Sequence, residues 1–149
     1  MALSLALILG GCDSNTSVGG STSSDDPPDP PNATTFQVAV VTETDHPDPN
    51  AHSVVFEVDG VQGAELTLVR GETYIFQMGD TPALHPFHIS TSSTGGDGGA
   101  GEWTDGVTGN FASGNSAVTF VVPNGAPDLL FYQCANHLIM GWRLNIISP

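Results

Sequence analysis

The chain has 149 residues, 39% of them hydrophobic and spread over many short runs, which suits one domain with one core plus some tail. Lysine and arginine together number 2 against 16 acidic residues, a formal charge of −14, so the chain is poorly equipped to neutralise phosphates and nucleic acid is not expected as a partner. An acidic surface keeps a protein soluble, repels anionic membranes and attracts basic proteins, mainly by raising their encounter rate.

Residues 1–11 form a short apolar segment that ends at Cys12. It is too short to span a bilayer as a helix and suits the apolar region of a secretory signal. Leu9-Gly10-Gly11-Cys12 resembles the lipobox of bacterial lipoproteins. That resemblance implies loss of residues 1–11, lipid attached to Cys12, and a place in a bacterial cell envelope, anchored to a membrane and facing the periplasm or the exterior. One departure is that no lysine or arginine precedes the apolar run. Residues 12–35 are rich in Ser, Gly, Asp, Pro and Thr with almost nothing to bury, and read as a disordered linker that tethers a domain.

From Phe36 the texture changes to short β-rich runs separated by Gly, Pro, Asn and Asp clusters. Strands are expected over residues 36–42, 53–59, 64–69, 73–78, 86–90, 118–122, 129–134 and 142–147, several with the polar–apolar alternation of a half-buried strand. No stretch shows sustained helical periodicity with caps. About eight short strands at this spacing predict an all-β domain over residues 36–149, a β-sandwich. The long connection between residues 91 and 109 contains Gly96-Asp97-Gly98-Gly99-Ala100-Gly101, which formally fits a dinucleotide fingerprint. No helix follows it, and Asp97 and Glu102 would repel a pyrophosphate, so it reads as a surface loop.

The chemistry concentrates in residues 131–141. Cys134, His137 and Met140 follow one another at even three-residue steps directly after an apolar run. Cys134 is the only cysteine beyond the N-terminal segment, so an intrachain disulfide has no second half there. An unpaired thiol in an exported protein calls for an explanation, either inert burial or metal ligation. His85, at the start of residues 85–89, supplies a further imidazole. One thiolate, two imidazoles and a weak axial thioether are the donor set of a blue-copper electron-transfer site, tolerable to both copper oxidation states. His85 and His88 are three apart and on a strand would face opposite sides, so one is chosen: His85, with apolar Phe87 and Ile89 on its side, and His88 outward-facing or supporting. His46 and His52 fall in a polar loop and read as solvated.

Cys134-x-x-His137-x-x-Met140, with Tyr132 two residues before the cysteine, resembles the short ligand loop of the cupredoxins, the family of plastocyanins, azurins and amicyanins. Leu84-His85-Pro86-Phe87-His88 is similar to the His-Pro-Phe-His segment of multicopper oxidases. The resemblance implies an eight-stranded Greek-key sandwich that binds one type 1 copper through His85, Cys134, His137 and Met140 and passes single electrons. Small blue proteins usually carry Asn after the first histidine, to tie that loop to the cysteine loop; here it is Pro86, which bears on the rigidity of the site. The 5 histidines cannot furnish the trinuclear cluster of a multicopper oxidase. The expectation is a monomeric, non-enzymatic electron carrier, tethered to a membrane by lipid, with a redox protein partner that is basic and cytochrome-like. Leu138 and Ile139 beside His137 offer a small apolar docking patch. A copper carrier or buffer, and a metal-free interaction module, are the alternatives.

Overall fold

The computed structural model describes residues 32–149. The apolar leader, the lipidation site at Cys12 and nearly all of the expected tether therefore lie outside the described residues. Ten strands occur among the described residues: β1 (Ala33–Thr42), β2 (Val54–Val58), β3 (Val61–Gln62), β4 (Leu66–Val69), β5 (Thr73–Met78), β6 (Phe87–Ser90), β7 (Val107–Thr108), β8 (Ala117–Val121), β9 (Leu129–Cys134) and β10 (Arg143–Ile147). The eight expected strands are all present. The two additional ones, β3 and β7, are two residues each, too short to leave any periodic signal. β1 begins at Ala33, three residues ahead of the expected start at Phe36, because Ala33, Thr34 and Thr35 find parallel partners in Thr73, Tyr74 and Ile75. Tertiary pairing, not side-chain pattern, makes those residues extended.

The strands form a six-stranded sheet in the order β3-β2-β1-β5-β8-β7 and a four-stranded sheet in the order β4-β10-β9-β6. Both are mixed: β1 runs parallel to β5, and β10 parallel to β4, while their other pairings are antiparallel. Alternate residues point inward, as period-two geometry requires. From the larger sheet come Val38, Phe56, Phe76, Met78, Val118 and Phe120; from the smaller come Leu68, Phe87, Ile89, Leu130, Tyr132 and Leu144. The two layers meet through Phe87, whose ring lies 5.1 Å from Phe56, 5.2 Å from Phe76 and 5.5 Å from Tyr132. An aromatic cluster of this kind adds attraction between rings to a large buried area.

The direction of the strands sets two poles. β1 runs from Ala33 toward Thr42, which pairs with Val54, and β9 runs from Leu129 toward Cys134. The pole reached by Thr42 and Cys134 holds the histidines. The other is closed by Arg70, whose guanidinium bonds the Ala126 carbonyl at 3.0 Å and the Asp128 carboxylate at 2.6 Å.

The free edge of β6 is covered by the 101–112 segment. Trp103 donates to Ile89, Phe87 and Ala112 exchange bonds, and the Ile89 amide donates to the Asn110 side chain at 3.0 Å. An unpaired edge here would expose a ladder of backbone groups to other chains. The glycine-rich stretch just before this segment lies at the surface as expected, with Asp97, Gly98 and Ala100 exposed.

Candidate metal centre

Pairing of β6 with β9 places Phe87 opposite Cys134, which carries the segment just ahead of β6 to the end of β9. The Ala135 amide donates to the Pro86 carbonyl at 3.1 Å, and the Asn136 side-chain amide donates to the Leu84 carbonyl at 2.9 Å. His85 itself precedes the strand and is oriented by its backbone N–H, which donates to Pro82 at 2.9 Å. The outcome is that one ligand atom each from His85, Cys134 and His137 lie within 4.8 Å of one another. His85 and Cys134 are buried and His137 is half-buried. Met140 is fully buried, three residues further along the same loop, and belongs with Cys134 to the packed interior.

Sulfur and nitrogen in this cluster are spaced for a shared ion. The Cys134 Sγ to His137 Nδ1 distance is 3.7 Å, which suits either a weak hydrogen bond to sulfur or a shared ion. Metal–nitrogen and metal–sulfur bonds of about 2.0 and 2.3 Å, opened to roughly 110–120°, span about 3.5–3.7 Å. His85 Nδ1 is buried with no hydrogen-bond partner. A buried polar nitrogen left unmatched costs about 1–3 kcal/mol unless something satisfies it, and an ion between the three donors would do so. The residues present fit a metal of borderline to soft character.

Electrostatics favour neutral donors. Burial pushes the Cys134 thiol above its ordinary range, although the Asn136 N–H, 3.4 Å from Sγ, works the other way. Desolvation, followed by the nearby His137 and His52 rings, holds His85 below the usual imidazole range. A neutral imidazole is the form that binds a metal, and a buried thiol becomes a thiolate when a cation takes its proton's place.

Three segments brace the ligand loop. The first is the glycine-rich stretch: Gly96 and Gly98 donate to the carbonyls of Cys134 and Ala135, each at 2.9 Å, and the Thr94 carbonyl accepts from Ile139 at 2.6 Å. Gly96 has φ +65°, and a Cβ there would meet the Leu138 amide nitrogen at 2.9 Å. The glycines are therefore needed for close approach to the ligand loop, a role compatible with a run that looks like a fingerprint by spacing alone. The second brace is the segment before and within β2, where His52 donates to the Ile139 carbonyl at 3.1 Å and Phe56 to the Met140 carbonyl at 2.7 Å. The third surrounds Gly141. Its N–H donates to Gln133 Oε1 at 3.0 Å, and its carbonyl faces His46 Nε2 at 3.2 Å. A Cβ on Gly141 would fall 1.8 Å from the Tyr132 carbonyl oxygen.

The remaining histidines depart from expectation. His46 is buried, not solvated: besides Gly141, its Nδ1 accepts the Asp48 N–H at 3.1 Å, and its ring meets Trp142 edge-on at 5.6 Å. His52 is half-buried, with its ring 4.7 Å from His137 and 6.3 Å from His85. Its polar sequence neighbours carry no hint of this, since the contact depends on how the β1–β2 connection folds over the ligand loop. His88 is not outward-facing in the sense of exposure. It is fully buried on the far side of β6 from the core, stacked at 5.2 Å on Phe111, with neither ring nitrogen hydrogen-bonded.

No protein-family model and no curated protein matches the sequence. Among solved structures, the chain is similar to rusticyanin from Thiobacillus ferrooxidans at 19% identity, over 79% of this chain and 78% of that one, with a TM-score of 0.48. It is similar to reduced rusticyanin at 18% identity, over 79% of this chain and 80% of that one, with a TM-score of 0.47. A multicopper oxidase from Campylobacter jejuni, described as a metallo-oxidase, matches 81% of this chain and 27% of its own at 11% identity and a TM-score of 0.46.

Proposed function

We propose that the chain is a cupredoxin-like protein that binds one copper ion at His85, Cys134, His137 and Met140 and carries single electrons. The observation that carries this reading is the convergence of two imidazoles and a buried unpaired thiol within 4.8 Å, with His85 Nδ1 otherwise unpartnered. Copper bound there supplies a one-electron couple between Cu(I) and Cu(II). The protein's part is to hold the donors still. Cys134 ends a strand, His85 is tied through Pro86 and Leu84 to the ligand loop, and the loop is braced on three sides. A site fixed by the fold changes little on electron transfer, which keeps the reorganisation small.

The half-buried His137 is the donor nearest solvent, and Leu138, 57% exposed, stands beside it. In this reading a redox partner approaches there, and the acidic surface favours a basic one. The lipid anchor at Cys12 and a place on an envelope membrane belong to the same proposal, supported by the lipobox resemblance. The protein acts as a carrier rather than a catalyst.

Adding Cu(II) to the purified protein and recording visible absorption and electron paramagnetic resonance tests this. An intense red-absorbing band with narrow hyperfine splitting is expected. Cys134→Ser is expected to abolish the colour, while His88→Ala retains it. Tight copper binding without the band would instead indicate a copper carrier or buffer, and no binding a metal-free interaction module.

A further inference from the structure

We infer that His52 is a positioning residue for the metal centre, acting through ring contact with His137 and not as a ligand. Three observations converge on it. Its ring packs 4.7 Å from the His137 ring at an interplanar angle of 48°. That ring is itself held in place, because Nδ1 lies 3.3 Å from both the amide nitrogen and the carbonyl oxygen of Val54 and is anchored in either tautomer. Its backbone N–H reaches the Ile139 carbonyl at 3.1 Å, so backbone and side chain grip the same loop on either side of Leu138. His52 is not among the converging donors, which are His85, Cys134 and His137.

The need for such a grip is local. Ile139 has φ +53°, a left-handed conformation that is a genuine outlier for a β-branched side chain. A residue in that region persists only where its surroundings over-determine it. His137 sits two residues before this strained position and is the least buried of the three donors, so burial fixes its ring less firmly than that of His85. His85 lies against one side, with its ring 4.6 Å away. His52 supplies a further wall, and between them the plane in which His137 offers Nδ1 to the metal is set.

The test uses two substitutions. His52→Phe keeps a flat ring of similar breadth but no ligating nitrogen, and His52→Ala removes the wall while leaving the backbone bond to Ile139. In the metal-free protein, the orientation of the His137 ring, read from nuclear Overhauser contacts of its protons with the Cys134 and His85 side chains, is expected to be lost in His52→Ala and kept in His52→Phe. With copper, which rests on the function proposed above, His52→Ala is expected to shift the reduction potential and broaden the hyperfine pattern, and His52→Phe to stay close to the native protein. Two results would overturn the inference. Unchanged His137 contacts with Cys134 and His85 in His52→Ala would mean no positioning, and equal disruption of the copper spectrum by both substitutions would mean that His52 is itself a ligand. A native protein with no blue band would defeat the copper reading while the metal-free measurement still decides the role of His52.

Discussion

Cys134 is buried and its thiol is raised by desolvation, so the metal-free protein holds an S–H at neutral pH. Taking up a divalent metal must therefore expel a proton. Release of about one proton per metal near pH 7 is expected in weakly buffered titrations, with affinity rising as pH rises. His88 gives a second pH effect, of known sign. Desolvation lowers its pKa, with Asp97, the nearby Gln133 backbone and Glu102 pulling the opposite way, so the folded state prefers the neutral ring. The unfolded chain binds that proton more readily below its ordinary pKa of about 6.5, so stability is full above that pH and falls as pH drops below it. Urea melts of the metal-free protein between pH 7.5 and 5 are expected to show this decline, and His88→Phe to reduce it, the buried His85 supplying a remainder of the same sign. Because both ring nitrogens are unmatched, that substitution is also expected to be neutral or stabilising by about 1 kcal/mol at pH 7.5. At this scale the convergence of His85, Cys134 and His137 was legible because the donors cluster around two apolar runs. The burial of His46 and the contact of His52 were not, since a polar loop carries no signal for what it folds over.

Among the elements, the connections between strands do the positioning. Pro86 cannot reach across to the cysteine loop with an amide, and here the tie runs the other way: Asn136, inside the ligand loop, donates to the Leu84 carbonyl. Asn136→Asp puts a second acceptor against that carbonyl and is expected to cost about 1 kcal/mol in stability and to weaken metal retention, read by chelator competition. Gly141→Ala is expected to be harsher, at least about 3 kcal/mol by urea denaturation, since its Cβ would overlap the Tyr132 carbonyl, which is backbone and cannot swing aside. Strand positions were readable from alternation, and their ends less so: pairing with β5 extends β1 back to Ala33, while β3 and β7 exist only because neighbours supply partners. The glycine-rich stretch does lie at the surface, but neither its spacing nor its composition reveals that its amides bond to the ligand loop.

At the scale of the described domain, an aromatic cluster lies between the two sheets within a larger apolar core. Phe87 touches rings from both layers and directly precedes the buried histidine of β6. Phe87→Ala is expected to destabilise the domain by about 3–5 kcal/mol in urea melts, with the copper spectrum of the surviving folded fraction altered because Phe87 pairs with Cys134. The sandwich class was legible from the count and spacing of short strands; the mixed order of the sheets was not, because parallel pairing joins segments far apart in sequence. One feature of that order bears on how the protein faces its surroundings. Strand β1 enters at the pole remote from the histidines and runs about 30 Å, at roughly 3.3 Å per residue, before reaching the end where His85, Cys134 and His137 converge. The chain therefore enters the described domain at the end opposite His85, Cys134 and His137, so the half-buried His137 stands on a face that the entering strand leaves open.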